Sequence, residues 1–406
     1  MQFSCPIRLR KYLLILPFCL AGFVFAQEPR YVDPALDDTS LPAGDPSSVL
    51  NDSGDQQIVR FRNWWRLYPG REIRAGESPS TLPRNLTDFG DLRYEVEGQQ
   101  FGLDQYKIRN HVGGLLVIKD GVIRHEFYGM GNDENTKWIS FSMSKSVTSM
   151  LLGAAIEDGY INSVDDMVTD YLPLLKGSSY DQTRLRHVLQ MASGVAWNED
   201  YTDANSDVAT YPDMDLVAMM QYLGNKERVA EPGTVFNYNT AETDLVGAIV
   251  RAAIGNNLAS YLEYKIWQPF GMEQDAVWST HGPAGERGGC CLNVTLRDYG
   301  RIGLFALAEG VLPDGTRVFP DGWIDESITP SPASDGYGYL WWLSEDGDGN
   351  PTYDARGIFG QGIHINPETN LVIVVLSAWT HAAAGGSVSQ AHRVAMYNAI
   401  DRALAN

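Results

Sequence analysis

Cysteine is scarce in this 406-residue chain. Only Cys5, Cys19, Cys290 and Cys291 occur, too few and too unevenly spread for a disulfide framework. Basic charge is also in short supply: 31 Lys and Arg against 51 Asp and Glu leave a formal net charge of -20. That balance excludes a nucleic-acid binder, which needs a basic face for the phosphates. After the first 26 residues no apolar run approaches the length of a membrane span. There is no internal repeat, no glycine-rich phosphate loop and no Gly-x-Ser-x-Gly elbow. The seven histidines are scattered without metal-ligand spacing. Asp346-x-Asp348-x-Asn350 begins like a calcium loop, but Pro351 and Gly357 stand where glycine and glutamate are needed. No metal and no cofactor is implied.

What is present is core-building material: 44% hydrophobic residues, including 10 Trp, 20 Tyr and 14 Phe. That content excludes a disordered chain. Residues 1–26 read as a secretory signal. Arg8, Arg10 and Lys11 precede the apolar stretch 12–25, and Val24 and Ala26 suit the small-residue rule, placing the cut after Ala26. The expectation is a periplasmic or secreted protein that meets a membrane only through its export signal. Residues 27–100 read as an acidic linker, rich in Asp, Ser and Pro over 28–58, and then a packed extension around Trp64, Trp65 and Tyr68. Cys290 and Cys291 are adjacent. At the spacing of about 3.8 Å across a trans peptide a vicinal bridge between them would be strained, and two small buried thiols are the favoured reading of the two.

Regular structure becomes legible at residue 114. Leu115-Leu116-Val117-Ile118 and Val122-Ile123 flank Asp120-Gly121, a β-hairpin signal. A helix follows, with Val147, Met150, Leu151, Ala154 and Ala155 at helical spacing and Gly159 past its end. Residues 160–330 alternate helical patterns, at 215–222, 241–253 and 296–308, with Pro- and Gly-rich loops. Three strands return at 339–343, 357–365 and 371–377, and an amphipathic helix closes the chain at 387–404. Strands early and late with helices between predict an α+β fold: an antiparallel sheet built from both chain ends, flanked by helices, with an inserted helical lobe over about 160–330.

One motif carries chemistry. Ser142-Met143-Ser144-Lys145 places a lysine three residues after a serine, and no other Ser-x-x-Lys occurs in the chain. On a helix these side chains share a face, so the Lys145 amine reaches the Ser142 hydroxyl. A serine hydroxyl becomes a strong nucleophile when a base takes its proton. A lysine serves as that base once burial has made it neutral. The rival reading is an ordinary helix start with Ser142 as cap and Lys145 solvated. Against it, the motif opens an Ala/Gly-rich apolar helix in which a solvated lysine is out of place.

From these residues onward the chain resembles the β-lactamase and penicillin-binding-protein-like serine hydrolases. The resemblance covers about residues 101–406, and includes the hairpin, the helix after Ser142, the run 185–194, Gly288-Gly289 and Arg297-Asp298-Tyr299. Within that group it is most similar to the 6-aminohexanoate-dimer (nylon-oligomer) hydrolases. The closer match rests on Asn198-Glu199-Asp200-Tyr201-Thr202-Asp203, on the run 236–244 and on Gly357-Ile358-Phe359-Gly360-Gln361.

The resemblance implies a β-lactamase/transpeptidase-like fold over 101–406 and an enzyme acting on a small-molecule amide or ester. It implies Ser142 as nucleophile, Lys145 as its base and Tyr238 as the group that protonates the leaving group. Tyr238 is expected to ionise readily beside the lysine, as a phenol does near a cationic amine. The resemblance further implies an oxyanion hole from the backbone N–H groups of Ser142 and Ile358. Gly357 would let substrate approach the strand, and Tyr201 would close over it. Apart from the resemblance, Trp341 is a candidate to line the site, with a core strand as the rival and favoured reading of Trp341-Trp342. The chain departs from β-lactam-binding members in having Ala355-Arg356-Gly357 for Lys-Thr-Gly, and Thr240 where Tyr-x-Asn ends in Asn. Those departures favour linear amides or esters. The rivals are a β-lactamase or D-alanyl carboxypeptidase/esterase of the same fold, and a non-catalytic module of the penicillin-sensor kind.

Overall fold

A computed structural model describes residues 31–32, 46–211, 214–281, 285–382 and 387–405. The signal segment with Cys5, Cys19 and the cut after Ala26, and most of the 28–58 linker, lie outside the described residues.

The largest sheet has six antiparallel strands. Their order is Trp342–Glu345, Pro351–Arg356, Gly362–Asn366, Leu371–Ser377, Val112–Lys119 and Val122–Tyr128. The two chain ends meet where Leu371–Ser377 pairs with Val112–Lys119, with Leu115 opposite Val375 and Val117 opposite Ile373. Leu115, Val117, Ile373 and Val375 pack against Met396, Tyr397 and Ile400 of the closing helix Val388–Leu404. Leu116, Ile118, Val372 and Val374 point into the main core, where the helix Leu296–Leu307 crosses the sheet. A strand covered on both faces has no solvent side, so Leu371–Ser377 reads as one continuous apolar run. Gly303 permits the close helix approach: a Cβ there would fall 2.5 Å from Val372 Cγ1.

The fold is α+β, as the element order predicts, but it holds a second sheet that the sequence does not announce. Five short strands, Tyr31–Val32, Gly70–Ile73, Ala276–Ser279, Leu292–Thr295 and Lys137–Ile139, lie side by side in that order. The expected helical lobe therefore does not run unbroken over 160–330. Helices Val168–Tyr171, Leu185–Leu189, Leu216–Gly224 and Thr240–Ile254 belong to it, and residues 276–295 turn back into strands. Those strands are four residues long and buried throughout, which removes the alternation that would reveal them.

The polar stretch before Trp64 is also more ordered than a linker. A 3-10 turn over Pro46–Asn51 leads into the helix Gly54–Leu67. Phe61 of that helix packs against Trp138, Phe141 and Phe359, with ring centroids 5.0–5.7 Å apart. Its outer face is polar, so its apolar pattern is thin. Among the described residues no single helix is long and apolar enough to cross a membrane.

Candidate active site

The serine and its lysine sit where the core helix begins. Phe141–Met143 forms a single 3-10 turn that continues into the helix Ser144–Glu157. Phe141 adopts φ +46°, a left-handed conformation that costs a non-glycine residue about 1–3 kcal/mol. Its ring is held among Phe61, Trp64 and Phe359, and this packing fixes the turn that presents Ser142. Ser142 is 9% exposed and Lys145 is 1% exposed.

Lys145 Nζ lies 3.1 Å from Ser142 Oγ, 3.1 Å from Thr240 Oγ1 and 2.9 Å from the Gly289 carbonyl oxygen. Burial is the largest influence on this amine. It brings the pKa down to about 8, against the opposing pull of Glu199 and Asp244. A neutral lysine in this position donates two hydrogens, to Thr240 and Gly289, and keeps its lone pair for the serine proton. The Gly289 carbonyl is fixed in turn. The Gly289 N–H donates to Asp244 Oδ1 at 2.7 Å, and Asp244 Oδ2 lies 3.0 Å from His281 Nε2. Burial alone would raise the Asp244 carboxyl, but His281 and Arg287 hold it below the usual carboxylate range.

Tyr238 comes in just before the helix Thr240–Ile254, whose N-cap is Asn239. Its ring stacks on Trp342 at 5.4 Å, and its hydroxyl lies near Ser142. The expectation of a readily ionised phenol is corrected here. Burial, and then the Glu199 carboxylate, push the Tyr238 hydroxyl well up from its ordinary value. The phenol keeps its proton.

Glu199 is the residue that sequence reasoning missed. Its carboxylate accepts from the Thr240 N–H at 3.1 Å, from Tyr201 OH at 2.8 Å, and from Thr240 Oγ1 and Trp197 Nε1. Thr240 thus links Lys145 to Glu199, so the hydroxyl that replaces an asparagine still serves the lysine. The position two residues before Tyr201 gave no sign of this, because the contact spans 41 residues.

Ile358 lies in the turn after the strand Pro351–Arg356 and not in the strand itself. The neighbouring N–H groups of Gly357 and Phe359 donate to Gln361, whereas the Ile358 N–H has no acceptor among the described residues. Gly357 is forced to be glycine: a Cβ would sit 2.7 Å from the Ser140 carbonyl oxygen. Trp341 does not reach the site. It is fully buried with its ring edge-on to Tyr353, and of the two neighbours it is Trp342 that lines the cleft. Adjacent residues along an extended chain face opposite ways. The two cysteines, expected as separate thiols, form a vicinal disulfide.

The cleft has two arms that meet at Tyr201 and Ile358. One arm, a cavity of about 80 Å³, contains Ser142, Phe141 and Cys290. The other, about 230 Å³, is lined by Tyr238, Phe236, Trp342 and Trp379, with Arg356 and Arg393 at its wall. Arg356 bonds Asp354, and its guanidinium lies 5.3 Å over Trp342.

Residues 103–395 match the protein family described as Beta-lactamase. A 6-aminohexanoate-dimer hydrolase of Paenarthrobacter ureafaciens is 30% identical over 289 residues, covering 65% of this chain and 72% of that protein. A beta-lactamase of Yersinia enterocolitica is 25% identical over 173 residues, covering 40% of this chain and 41% of that protein. Among solved structures, a putative 6-aminohexanoate-dimer hydrolase from Bacillus anthracis superposes with a TM-score of 0.75 at 20% identity. It covers 92% of this chain and 99% of its own.

Proposed function

The chain belongs to the beta-lactamase family and is a hydrolase of that fold, and on that premise we propose that it cleaves small linear amides or esters through an acyl-enzyme on Ser142. The observation that carries this reading is the buried Lys145 amine 3.1 Å from Ser142 Oγ, with its pKa brought down to about 8.

In this reading Ser142 Oγ attacks the substrate carbonyl carbon while Lys145 takes its proton. The oxyanion rests on the N–H groups of Ser142 and Ile358. Such donors contribute about 10²–10³ in rate each. Collapse breaks the C–N or C–O bond to the leaving group, which takes its proton from Tyr238, and Lys145 returns a proton to the phenol. Water then attacks the acyl carbon with Lys145 again as base, and Ser142 leaves as alcohol. Thr240 and Glu199 position the lysine, and Tyr201 covers the bond being cleaved.

The replacement of Lys-Thr-Gly by Ala355-Arg356-Gly357 supports linear substrates over β-lactams. Export by the 1–26 signal would place this activity in the periplasm or medium. The test is hydrolysis of a short p-nitrophenyl ester and of an ω-amino-acid amide by wild type and Ser142→Ala, with mass spectrometry for an acyl adduct. Retention of activity by Ser142→Ala defeats the proposal. Nitrocefin turnover would favour the β-lactamase alternative, and a long-lived adduct without turnover would favour a sensor.

A further inference from the structure

The smaller arm of the cleft is mostly apolar. Val49, Leu50, Trp64, Phe141, Val208 and Ala209 form much of its wall, and Arg287 and Tyr211 also line it. Its volume of about 80 Å³ is modest, against the roughly 150 Å³ of an engineered cavity that binds benzene.

Part of this wall comes from outside the family domain. Val49, Leu50 and Trp64 precede residue 103, where the family match begins. They are anchored to the fold by specific contacts. The buried Asp52 and Arg60 pair at 2.6 Å, tying the turn Pro46–Asn51 to the following helix. Arg60 Nη1 also donates to Tyr68 OH at 2.9 Å. Trp64 Nε1 donates to Ser279 Oγ at 3.0 Å, which pins the indole to the second sheet.

The position of Tyr238 assigns the two arms. It lines only the larger arm. A phenol that protonates the leaving group puts that group in the larger arm and directs the acyl chain into the smaller one. We infer that the N-terminal segment 46–64 measures the acyl chain, so that the substrates are amides and esters of short acyl groups joined to bulkier leaving groups. This inference rests on the acyl-enzyme reading above.

The experiment uses the full chain and p-nitrophenyl acetate, butyrate, hexanoate and octanoate. Leu50 is only half-buried, so its substitution spares the core. Wild type should prefer acetate and butyrate. Leu50→Ala should raise the octanoate-to-butyrate ratio of kcat/KM by about tenfold, and Leu50→Trp should lower the butyrate-to-acetate ratio by a similar factor, the scale of discrimination one or two methylenes allow. A companion series of butyrate esters with different alcohols should keep one order of preference in all three proteins. An unchanged chain-length profile in both Leu50 variants overturns the inference, as does a change confined to the alcohol series. Ser142→Ala is run alongside: if it retains hydrolysis, the acyl-enzyme reading itself falls, whatever the Leu50 variants do.

Discussion

The Lys145 amine lies over the face of the Tyr238 ring, 5.3 Å from its centroid, and turns to Ser142 Oγ instead of the phenol oxygen. The two groups therefore do not share a proton at rest, and each titrates under its own burial. Lys145 is brought down to about 8, and Tyr238 is pushed up. The kcat/KM profile should rise through pH about 8 as the amine becomes neutral, with no falling limb from Tyr238 up to pH 10. A profile that is flat from pH 6 to 10 would contradict this.

Tyr238→Phe separates the two bond types. An amine leaving group needs a proton, whereas p-nitrophenolate departs without one. Proton transfer by a placed side chain contributes about 10²–10⁴. The variant should lose at least about 10² in kcat on an anilide or alkyl amide, and far less on the p-nitrophenyl ester of the same acid. Equal losses on both would show that the phenol acts through binding or packing alone.

Asp244 supports the lysine from behind. It holds the Gly289 N–H, and the Gly289 carbonyl holds Lys145. Asp244→Ala strips a buried partner from His281 and orphans that N–H, so unfolding free energy should fall by about 3–5 kcal/mol. Urea denaturation measures the loss. A change below about 1 kcal/mol would mean that the His281–Asp244 pair is replaceable by water.

Glu242 is a carboxyl buried beside Tyr180, whose hydroxyl donates to it at 2.9 Å. Burial pushes its pKa from 4.5 to about 8. Between those values the folded chain retains a proton that the unfolded chain has released, so stability falls as pH rises through that window. Glu242→Gln should flatten this decline, giving a higher melting temperature than wild type at pH 8 and little difference at pH 4.5. An identical dependence on pH in both proteins would refute the assignment.

Local features of this chain were legible because they depend on neighbours in sequence. Ser142 and Lys145 are one turn apart, so their 3.1 Å contact follows from helix geometry. Leu371–Ser377 matches its expected limits because a strand buried on both faces has no polar interruption. Long-range features escaped. Pro351–Arg356 starts on a proline and carries Asp354 and Arg356, so its polarity hides a strand whose Asp354 is buried against His364 at 2.8 Å. Trp341 and Trp342 differ by one position and by an entire face. The upward shift of Tyr238 comes first from burial and then from Glu199, 39 positions away, and no local pattern shows either.

The pairing of Val112–Lys119 with Leu371–Ser377 has a temporal consequence. Ser142 and Lys145 leave the ribosome long before the central strand that pairs with the first hairpin. Until it arrives, the hairpin has no partner on one edge and the Ile358 turn has no sheet to hang from. Contacts this distant in sequence close slowly. A product that stops short of residue 371 carries Ser142 and Lys145 without the strand that closes the sheet beside the first hairpin.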